Sequence, residues 1–147
     1  MYDTTTPKPI THFRQLPGGM YLVKQPSRFP LIEHYGIVVT GNLVRQFGVS
    51  NIEPIVIHQT YPNARVEWAE ATGVWDFVGE VPPEMIPSAM ARVSIAFSDP
   101  TYDLFANNCE QVARFVSVGE KTSTQLWAVG LGGAVAIAIW FLNRNNN

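Results

Sequence analysis

The spacing of the apolar residues changes once along this chain, and that change constrains the fold more than any other feature. Short segments of β-branched or alternating residues come first, and apolar residues at helical spacing follow residue 83. The segments predicted as strands are 20–24, 34–40, 43–47, 54–58, 65–70 and 74–78. The segments predicted as helices are 84–97 and 110–118. Strands followed by helices are typical of an α+β fold with an antiparallel sheet.

Prolines and glycines divide the chain further. Pro7 and Pro9 disfavour a helix in residues 1–16, which we predict to be an irregular arm. Gly41 and Asn42 predict a tight hairpin turn that leads into the third strand. A chain of 147 residues has the length of one typical domain, and we place its folded part at 17–120.

The composition excludes several functional classes. The net charge of −2 provides no basic patch, so nucleic acid is not an expected partner. A single cysteine cannot form an internal disulfide, which excludes an oxidised secreted scaffold. The first residues lack the pattern of a signal peptide. No Cys/His spacing typical of a metal site occurs.

A segment without charges lies near the C-terminus. Residues 122–143 contain no charged side chain, and 126–142 are apolar or small throughout, close to the roughly 20 residues that span a bilayer. Trp127 and Trp140 lie near its two ends, as is common at membrane interfaces. Small residues recur at every fourth position, which permits close helix–helix contact. We predict a C-terminal membrane helix; a buried core helix and a hairpin-like insertion are the alternatives.

The only cysteine occurs in the stretch "ANNCEQVARF", at the start of a predicted helix. Asn107 and Asn108 are good N-cap residues, which places Cys109 at or next to the helix N-terminus. The free N–H groups there stabilise a thiolate and can also hold an oxyanion. Position alone therefore allows a nucleophile. Position alone nevertheless favours a small buried hydrophobic residue, which is what most free cysteines are.

A thiol nucleophile needs a base, and the chain has three histidines. His12 belongs to the irregular arm, and we assign it no function. His34 opens the predicted strand "HYGIVVT" and His58 closes "PIVIH". If these strands are neighbours, one imidazole can take the thiol proton while the other orients the first. Each histidine taken singly is better interpreted as an ordinary residue at a strand end.

The stretches "EHYGIVVTG" and "NNCEQVARF" together resemble the lecithin:retinol acyltransferase-like family, which includes the H-Ras-like suppressor phospholipase/acyltransferases. The wider group is that of the NlpC-type cysteine hydrolases of permuted papain-like fold. The matching features, in the order of that family, are Pro17-Gly18, His34-Tyr35-Gly36-Ile37, His58, Asn108-Cys109-Glu110 and the apolar segment 126–142. The chain departs from the pattern at Gly19, usually acidic, at Gln111, usually histidine, and in its wide separation of His34 and His58.

The resemblance implies a membrane-tethered thiol acyltransferase or phospholipase A that acts on acyl esters of glycerophospholipids. It assigns the nucleophile to Cys109, the base to His34 and the orienting role to His58. The oxyanion would be held by the Cys109 backbone N–H and Asn108. No metal or organic cofactor is implied. The partners are an acyl lipid and the membrane, with the catalytic domain facing the cytosol, and the small-residue face of the tail can support self-association.

Two other functions remain open. A peptidase or amidase of the NlpC type would use the same residues on amide bonds, although the charge-free tail and the Asn-Cys-Glu stretch argue against it. A membrane-tethered adaptor would keep the fold and bind partners without catalysis. Gln111 and the wide separation of His34 and His58 favour the adaptor.

Overall fold

The computed structural model describes residues 9–10, 13–27, 32–102 and 108–125. The strands are β1 (Pro9–Ile10), β2 (Met20–Pro26), β3 (Glu33–Val39), β4 (Ile55–Gln59), β5 (Ala64–Trp68) and β6 (Trp75–Glu80). The α-helices are α1 (Ile86–Ser98) and α2 (Cys109–Val118). Short 3-10 helices span Phe13–Gln15, Gly41–Phe47, Ala69–Thr72 and Pro83–Met85. The fold is α+β, as the sequence predicts.

The strands form one antiparallel sheet in the order β1-β6-β2-β3-β4-β5. Five of them have five or more residues, and the two-residue β1 is added at one edge. Strands β3 and β4 are neighbours in a register that pairs Gly36 with His58. This pairing stops at Gly36, so the first residues of β3 extend past β4 and leave an open edge there.

Side chains alternate between two apolar clusters, one on each face of the sheet. On the helix side, Ile37 and Ile57 pack with Ala113 and Val116 of α2. On the opposite side, Val38, Val56 and the fully buried Trp75 form the second cluster. The sheet therefore has a buried face on each side, which explains why "HYGIVVT" and "PIVIH" are apolar at consecutive positions.

The segment 43–47 departs from the prediction. It forms part of the 3-10 helix Gly41–Phe47, so the predicted hairpin turn and return strand were wrong. The helical spacing buries Val44 completely and brings Leu43 and Phe47 against the helix-side cluster. The helix ends at Phe47 and is capped by Gly48, whose φ of +78° suits glycine and whose N–H donates to Arg45 O.

The structure describes part of the predicted N-terminal arm and part of the predicted C-terminal membrane segment. In the predicted irregular arm, Pro9–Ile10 pairs with the start of β6, and Phe13 is buried in the second cluster. Within the residues that the structure describes, no helix has the length and apolar character to cross a bilayer. Of the predicted membrane segment 122–143, the part after Gln125 lies outside those residues.

Candidate active site

The two strand histidines face each other across β3 and β4. Nε2 of His34 and Nδ1 of His58 are 2.8 Å apart, a hydrogen bond between the two rings. Both side chains lie on the sheet face opposite the helices, because they alternate with Tyr35, Ile37 and Ile57 on the helix side. The predicted adjacency of the two imidazoles is confirmed.

A carboxylate continues this chain of hydrogen bonds. Nε2 of His58 is 2.6 Å from Oε2 of Glu67, which β5 presents on the same face. A carboxylate only accepts, so we assign the proton to Nε2 of His58, and Nδ1 of that ring accepts from Nε2 of His34. Nδ1 of His34 then carries a lone pair, and in the described structure this nitrogen has no hydrogen-bond partner. Glu67 thus determines which nitrogen of His34 can act as a base.

Trp75 supports both imidazoles from the second cluster. Its ring centroid is 5.6 Å from that of His34 and 6.1 Å from that of His58. Its Nε1–H donates to Thr72 Oγ1 at 2.9 Å, which fixes the indole. Gly36 leaves room for this arrangement, because a Cβ there would lie 3.2 Å from the indole and 2.9 Å from a methyl of Val56. The small residue in the histidine strand therefore has a packing reason.

Burial keeps both imidazoles neutral at neutral pH. Desolvation lowers the pKa of His34 to about 4, with a further lowering by His58 that Glu67 partly opposes. Desolvation also lowers the pKa of His58, although the hydrogen bond from its ring to Glu67 acts in the other direction. A neutral imidazole is the form that accepts a proton, so the pair is in the protonation state of a general base.

Cys109 is the first residue of α2, and its position depends on a capping box. Asn108 Oδ1 accepts from the Gln111 backbone N–H at 2.9 Å, and Gln111 Oε1 accepts from the Asn108 N–H at 3.0 Å. Gln111, one of the departures from the family pattern, therefore has a structural reason. The side-chain oxygen of Asn108 accepts a hydrogen bond within the cap and cannot itself hold an oxyanion. A contribution of Asn108 to an oxyanion hole stays a prediction.

The thiol of Cys109 lies against the open edge of β3. Its S–H donates to the carbonyl oxygen of Glu33 at 3.8 Å. Burial raises the pKa of the thiol, and the backbone N–H groups of Tyr35, Glu110 and Cys109 act to lower it. Glu33 O and Tyr35 N–H flank His34 on this edge, so the sulfur is next to the backbone of His34. Several N–H donors converge on it.

The structure thus brings His34 and His58 together and puts Cys109 beside the strand that carries His34. His12 lies outside the described residues. Sequence reasoning missed Glu67 and Trp75. The alternation in "RVEWAE" puts Arg65 and Glu67 on one strand face, but the register that aligns this face with His58 could not be read from it.

Among the described residues, no group of three His, Cys, Asp or Glu side chains could hold a metal ion. Comparison of the chain with protein-family models, with curated proteins and with solved structures found no match.

Proposed function

We propose that this protein is a cysteine-dependent acyltransferase or phospholipase A acting on glycerophospholipid acyl esters. One observation carries the proposal: the hydrogen-bonded series Glu67–His58–His34 ends at a strand residue whose backbone adjoins the thiol of Cys109. A nucleophile, a base and groups that orient the base are the parts that thiol acyl transfer requires.

The chemistry follows from the assigned protons. Nδ1 of His34 is bonded to Cγ and is therefore the ring nitrogen nearer to the backbone. It takes the thiol proton as the sulfur attacks the ester carbonyl. The tetrahedral oxyanion accepts hydrogen bonds from N–H groups at the start of α2, among them that of Cys109. Collapse breaks the ester C–O bond, and the proton on His34 goes to the leaving lysolipid oxygen. The acyl thioester then passes its acyl group to an amine, an alcohol or water.

Two further expectations belong to the same proposal. The α+β architecture, with a cysteine at a helix start and histidines on adjacent antiparallel strands, is consistent with the permuted papain-like fold of the NlpC-type hydrolases. The charge-free segment 122–143 would hold the domain at the cytosolic face of a membrane, and its small residues would allow self-association. Tethering raises the effective concentration of an enzyme at an insoluble substrate.

The test uses the full chain with phosphatidylcholine vesicles labelled in one acyl chain, with and without an added primary amine. We expect labelled fatty acid or N-acyl amine, abolished in Cys109→Ala and reduced about 100-fold or more in His34→Asn, the range for loss of a general base. His12→Asn is the matched control and should retain wild-type turnover.

Other outcomes would point elsewhere. Cleavage of a peptide amide without turnover of the lipid would indicate an NlpC-type peptidase. A folded protein that turns over neither substrate would contradict the enzymatic proposal and favour an adaptor.

A further inference from the structure

The carboxylate of Glu110, directly after Cys109, is completely buried. Its Oε2 accepts from Ser123 Oγ at 2.6 Å and from the Gln125 N–H at 3.2 Å. Its Oε1 accepts from Thr124, at 2.6 Å from the hydroxyl and 3.0 Å from the backbone N–H, and at 3.2 Å from Arg114 Nε. A buried charge is costly unless it is fully paired, so this carboxylate ties residues 123–125 to the start of α2.

Gln125 extends this connection to β3. Its Oε1 accepts from the Glu33 backbone N–H at 2.6 Å, and its Nε2 donates to the Glu33 carbonyl at 3.0 Å. Ile32 O accepts from Ser27 on the β2 side, so the backbone groups of Glu33 face the opposite, open edge. The Gln125 amide therefore occupies the edge of β3 where β4 no longer pairs.

The thiol of Cys109 and the amide of Gln125 meet at one atom. Both donate to the carbonyl oxygen of Glu33, the residue before His34. A set of hydrogen-bonded residues thus joins the helix that carries the thiol to the strand that carries the proposed base. We call this set the brace; its members are Glu33, Glu110, Ser123, Thr124 and Gln125. The apolar contacts of α2 in the helix-side cluster begin at Ala113, one turn beyond the thiol.

We propose that the brace is a positioning device. Gln125 and Glu110 hold the thiol of Cys109 in a fixed position relative to His34. The proposal rests on the proposed function. Among the described residues, the side-chain hydrogen bonds of Gln125 go to the Glu33 backbone and not to the thiol or an imidazole, so it acts through that backbone. Because a displacement of about 1 Å can cost roughly 100-fold in rate, loss of this contact should impair the chemistry more than the fold.

The test uses the single cysteine, which makes alkylation by iodoacetamide a report on one thiol and requires no substrate. The alkylation rate of the chain with His34 is divided by the rate of the same chain carrying His34→Asn. This ratio is measured in three backgrounds: wild type, Gln125→Met and Thr122→Ala. Gln125→Met keeps the length of the side chain and removes both hydrogen bonds, whereas Thr122 is exposed and outside the brace.

We expect a ratio of about 10 or more in the wild type and Thr122→Ala, and a ratio near 1 in Gln125→Met, because residues that act through one alignment are not additive. With labelled phospholipid, Gln125→Met should lower kcat about 10- to 100-fold with little change in KM. If Gln125→Met does not fold, Ser123→Ala, which removes another link of the brace, takes its place.

The outcomes are distinguishable. A ratio that stays high in Gln125→Met overturns the brace and leaves the proposed function intact. A ratio near 1 already in the wild type means that His34 does not assist Cys109, which overturns the proposed function and the brace with it.

Discussion

The carboxylate of Glu67 lies beside a pair of neutral histidines that are largely removed from water. Its hydrogen bond to His58 Nε2 sets the tautomer of that ring. The hydrogen bond between the two rings then sets the tautomer of His34. The side chain of Glu67 is 41% exposed, so solvent weakens its electrostatic influence while leaving its orienting effect. Three residues on three adjacent strands thus define one basic nitrogen.

Replacing Glu67 should lower the rate without changing substrate binding. A hydrogen bond to a charged group is worth about 1.5–3 kcal/mol, and each 1.4 kcal/mol is about tenfold in rate. Because Glu67 is partly exposed, we expect a loss of about tenfold in kcat for Glu67→Ala, and a smaller loss for Glu67→Gln, which can still accept from His58. Steady-state kinetics with labelled phospholipid measure this. A change confined to KM would contradict the assigned orienting role.

Helix α2 shows how an element positions a reactive residue. The capping box determines where the helix begins, and Cys109 follows directly after the cap. The helix was predicted from Asn108 and the apolar spacing at Val112 and Val116, and its start was predicted to within one residue. The reciprocal contact of Gln111 was not predicted, because a glutamine side chain can point to solvent as readily as back to the cap.

Removing the cap should cost stability and displace the thiol. Asn108→Ala loses the acceptor for the Gln111 N–H, and we expect the free energy of unfolding to fall by about 1 kcal/mol. Asn108→Asp retains an acceptor and should be within a few tenths of a kcal/mol of the wild type. Urea unfolding of the full chain provides the values. Equal losses in the two variants would contradict the capping role of this side chain.

At the scale of the whole molecule, sequence reasoning located most elements but not their arrangement. The β-branched runs at Ile37–Val39 and Ile55–Ile57 predict strands because both of their faces are buried. The same apolar character misled the prediction at 43–47, where a helical turn buries Val44 equally well. Strand order and register depend on contacts between distant segments, so the position of β6 beside β2 and the alignment of Glu67 with His58 emerged only from the structure.

The buried ionisable groups predict how the fold responds to acid. His34 has a pKa of about 4 in the folded chain against the usual 6.5, so below pH 6.5 the unfolded chain binds more protons. Stability should therefore decrease as the pH falls from 6.5 towards 4, by at most about 2 kcal/mol at about pH 5. Urea unfolding at about pH 7 and about pH 5 measures this, and His34→Asn should show a smaller decrease. An identical decrease in the variant would contradict a neutral, buried His34.

Glu110 should cause a second loss of stability, in a lower pH range. Burial alone would raise its pKa, but the hydrogen bonds from Ser123, Thr124 and Gln125 bring it down to about 2, against the usual 4.5. Its contribution to stability is present above pH 4.5 and is lost as the pH falls towards 2. Glu110→Gln should therefore lack the loss of stability in this range, as followed by acid unfolding. An unaltered acid transition would show that the brace carboxylate does not need its charge.

A covalent acyl-enzyme intermediate would be direct evidence that Cys109 is the nucleophile. The full chain is mixed with diacyl phosphatidylcholine, quenched in acid and weighed as an intact protein by mass spectrometry. We expect a gain of one acyl group that hydroxylamine removes, as a thioester requires. This gain should be absent in Cys109→Ala and strongly reduced in His34→Asn. A wild-type protein that gains no acyl group, or a gain that persists in Cys109→Ala, would contradict the assignment of Cys109 as the nucleophile.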